Sequence, residues 1–375
     1  MRTPVTTMVI GFLAATLVLG GCEGATGRSG PAGTNGSDGT DGTNGTQGPA
    51  GPIGPGGLPL VIQLPGDNYF PEGIALSDNG DFYIGSVVTG AIFKASLSNT
   101  RAQPFTNTSI NGAAVGMVVD KGVNLLWVCQ ADATNFTTSA LVGLDLGNGS
   151  KMANHDMPAS TGGVFCNDVA LDEVTGDLYA SDSLAGRVVR VKASDRQSNT
   201  TAENWLEDSA LAGPDAMEPF GANGIFKLGS FLYVVNLGRG TLVRIAINGD
   251  GTAGAITQVA LTDSKSQPYT FNGADGMKSI GTDTLVVVEN SGNRLTQVKL
   301  ADIGGANPTG VVTVLTTRLD APTTVAISFD PGNEAAFVVE GQLDHLFEPT
   351  VNGPPELPFG VVRVDLFLPQ ITPGS

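Results

Sequence analysis

Two histidines, three cysteines and 19 lysines and arginines are few for a chain of 375 residues. No cluster of histidine or cysteine can be assembled, which argues against a zinc centre built from those ligands. Cys129 and Cys166 are the only cysteines beyond residue 22. Export would permit a disulfide between them, and two cysteines also serve as buried small apolar groups. The scattered basic residues are outnumbered by 36 acidic ones, for a formal charge of −17 and a pI near 4.3. Binding to a phosphate backbone rests on a basic patch, so nucleic acid is excluded as a partner. The acidity favours solubility and concentrates cations nearby. Long apolar runs are missing as well. The stretch from Met8 to Leu19 is about 12 residues, against the roughly 20 that a bilayer-spanning helix needs.

That short run follows Arg2 and ends in Leu19-Gly20-Gly21-Cys22. It reads as an export signal over residues 1–21. The small residues before Cys22 resemble the lipobox of bacterial lipoproteins, in which the cysteine becomes the lipidated first residue. The expectation is an exported bacterial lipoprotein held at the outer membrane or cell surface, since several acyl chains on Cys22 give a stable anchor. Glycine then recurs at every third position from Gly24 to Gly57. A strict Gly-X-Y period is the collagen signature, because only glycine fits the axis of a triple helix. The segment 22–57 holds few prolines, Pro31, Pro49, Pro52 and Pro55 among them. A flexible polar stalk is the favoured reading, and a trimerising collagen-like stem is the alternative.

What the remaining chain, residues 58–375, has in abundance is repetition. Glu72-Gly73-Ile74-Ala75-Leu76 leads into Asp81-Phe82-Tyr83-Ile84, and Asn167-Asp168-Val169-Ala170-Leu171 into Asp177-Leu178-Tyr179-Ala180. Asn223-Gly224-Ile225 precedes Phe231-Leu232-Tyr233-Val234, and Asp275-Gly276-Met277 precedes Thr284-Leu285-Val286-Val287. Weaker copies start at Val115 and Thr323. Each copy consists of short β-branched or aromatic runs separated by Gly, Asn and Asp turns, and no helical period of comparable strength occurs. Equivalent positions fall at 72, 115, 167, 223, 275 and 323, about 43 to 56 residues apart. That is the length of a four-stranded propeller blade, so an all-β, six-bladed β-propeller is expected, closed by a strand from the Leu58–Leu64 run.

The first strand of each blade lines the central tunnel, so these six positions converge on the axis. Four of them are Glu72, Asn167, Asn223 and Asp275, where an apolar residue would otherwise stand. Two carboxylates and two amides suit a hard divalent cation, and Ca2+ accepts six to eight such oxygens in flexible geometry. Without a cation, the two carboxylates would repel and one would protonate. Asp168, Asp182, Asn272 and Glu289 are candidates for the next layer. His155 and His345 fall at no tunnel position and are expected in surface loops.

Glu72-Gly73-Ile74, Asn167-Asp168-Val169, Asn223-Gly224-Ile225 and Asp275-Gly276-Met277, at these intervals, resemble the regucalcin/gluconolactonase-like family, whose wider relatives include the paraoxonases, diisopropylfluorophosphatase and strictosidine synthase. The resemblance covers about Pro71 to Leu366. It implies that Glu72, Asn223 and Asp275 hold a catalytic calcium ion, that Asn167 contacts metal or substrate, and that Asp275 is a general base or nucleophile. The implied reaction is hydrolysis of a small lactone or other ester. Phe165 stands where regucalcin has a substrate-binding arginine, which points away from a sugar-acid lactone, and Val115 and Thr323 point to a less polar substrate. The other function class is a calcium-stabilised propeller that recognises a partner without catalysis.

Overall fold

The computed structural model describes residues 57–105, 110–329 and 334–366. The export signal, Cys22 and nearly all of the Gly-X-Y segment lie outside the described residues. Among the described residues no helix is long and apolar enough to cross a membrane.

The chain is built almost entirely from strands. In order they are Leu60–Gln63 (β1), Pro71–Leu76 (β2), Asp81–Ser86 (β3), Ile92–Ser96 (β4), Asn99–Pro104 (β5), Ala113–Asp120 (β6), Leu125–Ala131 (β7), Ser139–Asp145 (β8) and Lys151–Asp156 (β9). Then come Cys166–Leu171 (β10), Leu178–Asp182 (β11), Arg187–Val191 (β12), Asn199–Thr201 (β13), Glu203–Glu207 (β14), Ala222–Leu228 (β15), Phe231–Asn236 (β16), Thr241–Ile247 (β17) and Ala253–Gln258 (β18). The last are Ala260–Asp263 (β19), Ala274–Ser279 (β20), Thr284–Glu289 (β21), Arg294–Ala301 (β22), Thr309–Thr316 (β23), Pro322–Ser328 (β24), Ala335–Glu340 (β25) and Gly360–Asp365 (β26). Two short helices, Leu343–Phe347 (α1) and Pro349–Asn352 (α2), fill the connection from β25 to β26.

These strands pair as antiparallel meanders. One sheet runs β10-β11-β12-β14 and another β15-β16-β17-β18. The orders β6-β7-β8-β9 and β20-β21-β22-β23 each carry one extra outer strand, β13 and β19, added in parallel. In the eight-stranded sheet, β2-β3-β4-β5 and β24-β25-β26-β1 meet through one parallel pairing of Gln63 with Arg101. The N-terminal strand β1 therefore edges a meander made by the C-terminal end of the chain. Innermost strands follow one another in a closed circle: β2 packs beside β6, β6 beside β10, β10 beside β15, β15 beside β20, β20 beside β24, and β24 beside β2.

Burial explains which sequence runs go where. Second strands such as Thr284–Glu289 and Ala335–Glu340 are buried at every residue, covered on both faces by neighbouring sheets, and so read as continuous apolar runs. Outer strands such as Thr309–Thr316 show buried and exposed residues in turn at their start, as a solvated edge requires. The largest buried side chains, among them Trp127, Tyr83, Tyr179, Tyr233 and Phe337, sit on these second strands and pack between sheets.

Cys129 on β7 and Cys166 at the start of β10 form a disulfide, with a Cα separation of 5.2 Å and a sequence separation of 37. It staples two adjacent sheets one residue before Asn167. Closing a loop of this length restricts the unfolded chain by about 3–4 kcal/mol. Reduction is expected to lower the melting temperature by about 5–10 °C. A scan with and without reductant checks this, and an unchanged midpoint would refute a stabilising role.

His155 corrects the expectation of a surface loop. It lies on β9, fully buried, with Nδ1 2.8 Å from Thr200 Oγ1 and its ring 5.5 Å from that of Trp127. Burial pushes its pKa below the usual histidine value. A buried neutral imidazole packs like an aromatic residue, which hydropathy alone does not reveal. His345 is also outside a simple surface loop, being half-buried within α1.

Candidate functional site

Glu72, Asn167, Asn223 and Asp275 each occupy the second position of their strands, β2, β10, β15 and β20, and all are buried. The same local irregularity surrounds each. The β2–β3 ladder shifts register between Pro71 and Ile74, the β10–β11 ladder between Cys166 and Val169, and the β15–β16 ladder between Ala222 and Ile225. The β20–β21 ladder shifts between Ala274 and Met277. Each candidate residue lies inside such a break. A bulge of this kind re-aims a side chain out of the pleat, and here it recurs at every innermost strand, including β6 and β24.

Glycine makes the bulges close-packed. A Cβ on Gly73 would collide with the Val115 carbonyl, one on Gly224 with the Asp275 carbonyl, and one on Gly276 with the Thr324 side chain. A Cβ on Gly116 would collide with Asp168 and with the Asn167 carbonyl. Each tunnel position thus touches the next strand around the circle. Gly224→Ala is expected to cost about 1–3 kcal/mol through overpacking and to displace Asp275, whereas Gly304→Ala, with open space around it, should be neutral. Denaturant titration of both variants measures the contrast, and equal stability would contradict the packing argument.

Charge is concentrated where these strands meet. Burial, followed by the carboxylates of Asp275 and Asp168, pushes the Glu72 carboxyl well above its ordinary range, with Lys278 opposing. Burial and then Asp168 do the same to Asp275, while the Asn223 side chain and the Gly276 N–H hydrogen-bond to it and pull it down. The Asp275 charge thus acts directly on Glu72. Among the described residues, Glu72 Oε2 and Asn223 Oδ1 are buried with no hydrogen-bond partner. Buried acceptors and raised carboxyls together describe a site short of positive charge. Oxygen donors of this kind fit a divalent cation of the calcium type.

The remaining two tunnel positions do other work. Val115 is apolar and buried, and Thr323 donates its hydroxyl to the Glu72 carbonyl at 2.8 Å, which ties β24 to β2. Asp168 takes the position that glycine holds in four other strands. Its Oδ1 accepts the Val169 N–H at 2.8 Å, its Oδ2 accepts the Ile225 N–H at 3.2 Å, and Lys278 Nζ lies 3.9 Å from Oδ2. Asp182 and Glu289 brace loops instead. Asp182 accepts the Phe165 N–H and pairs with Arg187, and Glu289 accepts from Tyr269, the Asn272 N–H and Arg294. Asn272 is exposed and donates to the Ser291 carbonyl.

Two further features flank the tunnel. Phe165, Phe136 and Phe220 form an aromatic triad, with centroids 5.5–5.8 Å apart, on the segments leading into β10 and β15 and on the β7–β8 loop. At the opposite ends of the innermost strands, a cavity of about 880 Å³ is lined by Leu76, Val119, Leu171, Phe226, Lys278 and Ile327, among others. Its other cations are neutralised: Lys94 by Asp81, Lys121 by Asp78 and Arg196 by Asp120. Glu72, Asn167, Asn223 and Asp275 do not line it, so this cavity and the carboxylate cluster are separate features joined through Lys278. Elsewhere, Asp320 is pushed above the usual range by burial and then by Asp344, with Glu356 adding to the effect.

No family model matches this chain, and no curated protein matches it at a significant level. Similar solved structures include the major allergen Mala s 1 of Malassezia sympodialis, at 15% identity and TM-score 0.60, covering 82% of this chain and 96% of that one. A luciferin-regenerating enzyme matches at 13% identity and TM-score 0.56, covering 80% and 93%. An auxiliary nutrient binding protein from Bacteroides ovatus matches at 13% identity and TM-score 0.53, covering 74% and 67%. The fold is that of a β-propeller. At these identities the likeness speaks to the fold and not to the chemistry.

Proposed function

We propose that this chain is a six-bladed β-propeller that holds one calcium ion on Glu72, Asn167, Asn223 and Asp275 and hydrolyses a lactone or another ester beside it. The six-fold reading is supported by the circle of innermost strands and by six equivalent bulges. One observation carries the functional reading: two buried, mutually repelling carboxyls and two amides sit at matched bulges, with acceptor atoms left unpartnered. Calcium bound there would polarise the ester carbonyl. Asp275 would then serve as the base, taking a proton from the attacking water and returning it to the departing alkoxide. Asn167 holds the substrate oxygen through its amide. The aromatic triad offers an apolar wall, which favours a substrate with a hydrophobic part over a sugar acid.

The wider organisation belongs to the same proposal: an export signal over 1–21, a lipidated Cys22 with a Gly-X-Y stalk over 22–57, and the propeller over 58–375, displayed on a bacterial outer membrane or cell surface. A stalk that associates would make the molecule a trimer. A second reading, calcium as a structural plug in a recognition module, is favoured by the commitment of Asp182 and Glu289 to bracing loops. Metal analysis together with a panel of lactones and aryl esters separates the two. Chelator-sensitive turnover supports the hydrolase, and chelator-sensitive stability without turnover across the panel supports the module.

A further inference from the structure

Asp320, in the turn before β24, and Asp344 and His345, in α1, each present one ligand atom, and these three atoms lie within 4.8 Å of one another. All three residues are half-buried. His345 Nε2 stands 3.9 Å from Asp320 Oδ2, too far for a hydrogen bond. Two ligands of a tetrahedral ion with bonds of about 2.0–2.1 Å stand roughly 3.3–3.4 Å apart, so these two atoms would draw together by about half an ångström to share an ion.

Both histidine nitrogens have assigned surroundings. Nδ1 lies 3.2 Å from the Gly353 carbonyl, which can only accept, so Nδ1–H is the donor. In the neutral ring, Nε2 then keeps its lone pair towards Asp320. A metal-binding histidine is held in this way, its second nitrogen fixed by a backbone carbonyl. An independent observation comes from Asp344: its Oδ1 is buried and has no hydrogen-bond partner among the described residues. A buried carboxylate oxygen without a donor is costly unless a cation meets it.

The surrounding backbone is held without help from an ion. Gln342, at φ 51°, clamps the Glu356 backbone, donating to its carbonyl at 2.8 Å and accepting its N–H at 2.6 Å. Asn352 donates to the Asp344 carbonyl at 3.0 Å. On the other side, Ala321 N–H donates to Asn293 Oδ1 at 2.9 Å, and Asn290 to the Pro322 carbonyl at 3.0 Å.

We infer that Asp320, Asp344 and His345 bind a divalent transition-metal ion of the zinc type. One imidazole and two carboxylates suit such an ion, and three protein ligands leave a position open to solvent. The ion would link the helical excursion α1–α2 to the turn that enters β24. This site is independent of the four tunnel residues and of the calcium reading.

The test uses the full chain stripped of metal and titrated with Zn2+ by calorimetry, in parallel with Co2+ followed by visible absorption. Wild type is expected to bind one Zn2+ that survives combined Glu72→Gln and Asp275→Asn substitution. His345→Gln and Asp344→Asn should each weaken it by more than the roughly 10–100-fold that losing an outer partner costs. The Co2+ spectrum of wild type should show imidazole coordination that disappears in His345→Gln. Unchanged Zn2+ affinity in a folded His345→Gln variant would overturn the assignment. So would the lack of an imidazole-coordinated Co2+ signal in wild type, which requires no variant at all.

Discussion

Calcium is expected to raise the melting temperature of this protein by about 5–10 °C at pH 8 when present at about 100 times its dissociation constant, and by far less near pH 4. A ligand at that excess contributes about 2.7 kcal/mol to the folded state, which gives a shift of this size in a large domain. The pH dependence follows from the raised carboxyls of Glu72 and Asp275. In the metal-free fold both groups bind a proton more tightly than in the unfolded chain, where carboxyls titrate near 4. Their contribution is therefore most favourable below that value and is lost as pH rises towards the raised folded values. Calcium takes the place of those protons, so its effect grows across the same window. Calorimetric scans from pH 4 to 8, with calcium or with a chelator, measure it. Asp320 is raised too and adds in the same direction, so the combined Glu72→Gln and Asp275→Asn variant identifies the share due to the tunnel. A calcium-induced shift that is absent in wild type, or that is the same at every pH, would rule the site out.

The repeat was legible because hydrophobic periodicity and turn residues are local. Tyr83, Tyr179 and Tyr233 sit in matched apolar runs, and the runs became the buried second strands. Glu72, Asn167, Asn223 and Asp275 stood out because each breaks an apolar pattern at an equivalent place. The bulge around each of them was not legible. A register break between Ala222 and Ile225, or between Ala274 and Met277, is a property of backbone pairing and leaves only an indirect trace. That trace is the recurrent glycine after the tunnel residue, at 73, 116, 224 and 276, which marks where the next strand approaches most closely. Spacing assigns Thr323 to a tunnel position but not its role there, since a hydroxyl that donates to the Glu72 carbonyl and one that faces the axis look alike in a sequence. Asp320 and the Asp344-His345 pair are 24 residues apart on separate connections, and no motif spacing joins them. Only the tertiary path from β25 through α1 brings them together.

Asp275→Ala is expected to lower kcat/KM for the best ester or lactone by about 10²–10⁴-fold, the usual contribution of a positioned acid–base group, and to weaken calcium binding at the same time. Because one carboxylate is assigned two roles, the alanine variant cannot apportion them. Asp275→Asn can. Its amide oxygen still offers a ligand and can still accept the Gly276 N–H, but the amide accepts no proton from water. If Asp275 is the base, this variant retains most of its calcium affinity while kcat falls by a similar factor, and added calcium does not restore turnover. If Asp275 only holds the metal, activity follows occupancy, and raising the calcium concentration recovers it. Asn167→Ala supplies the complementary measurement, since a residue that orients substrate should raise KM together with any loss in kcat. Full activity in Asp275→Asn at saturating calcium would remove the carboxylate from proton transfer and leave the attacking water to be activated by another group.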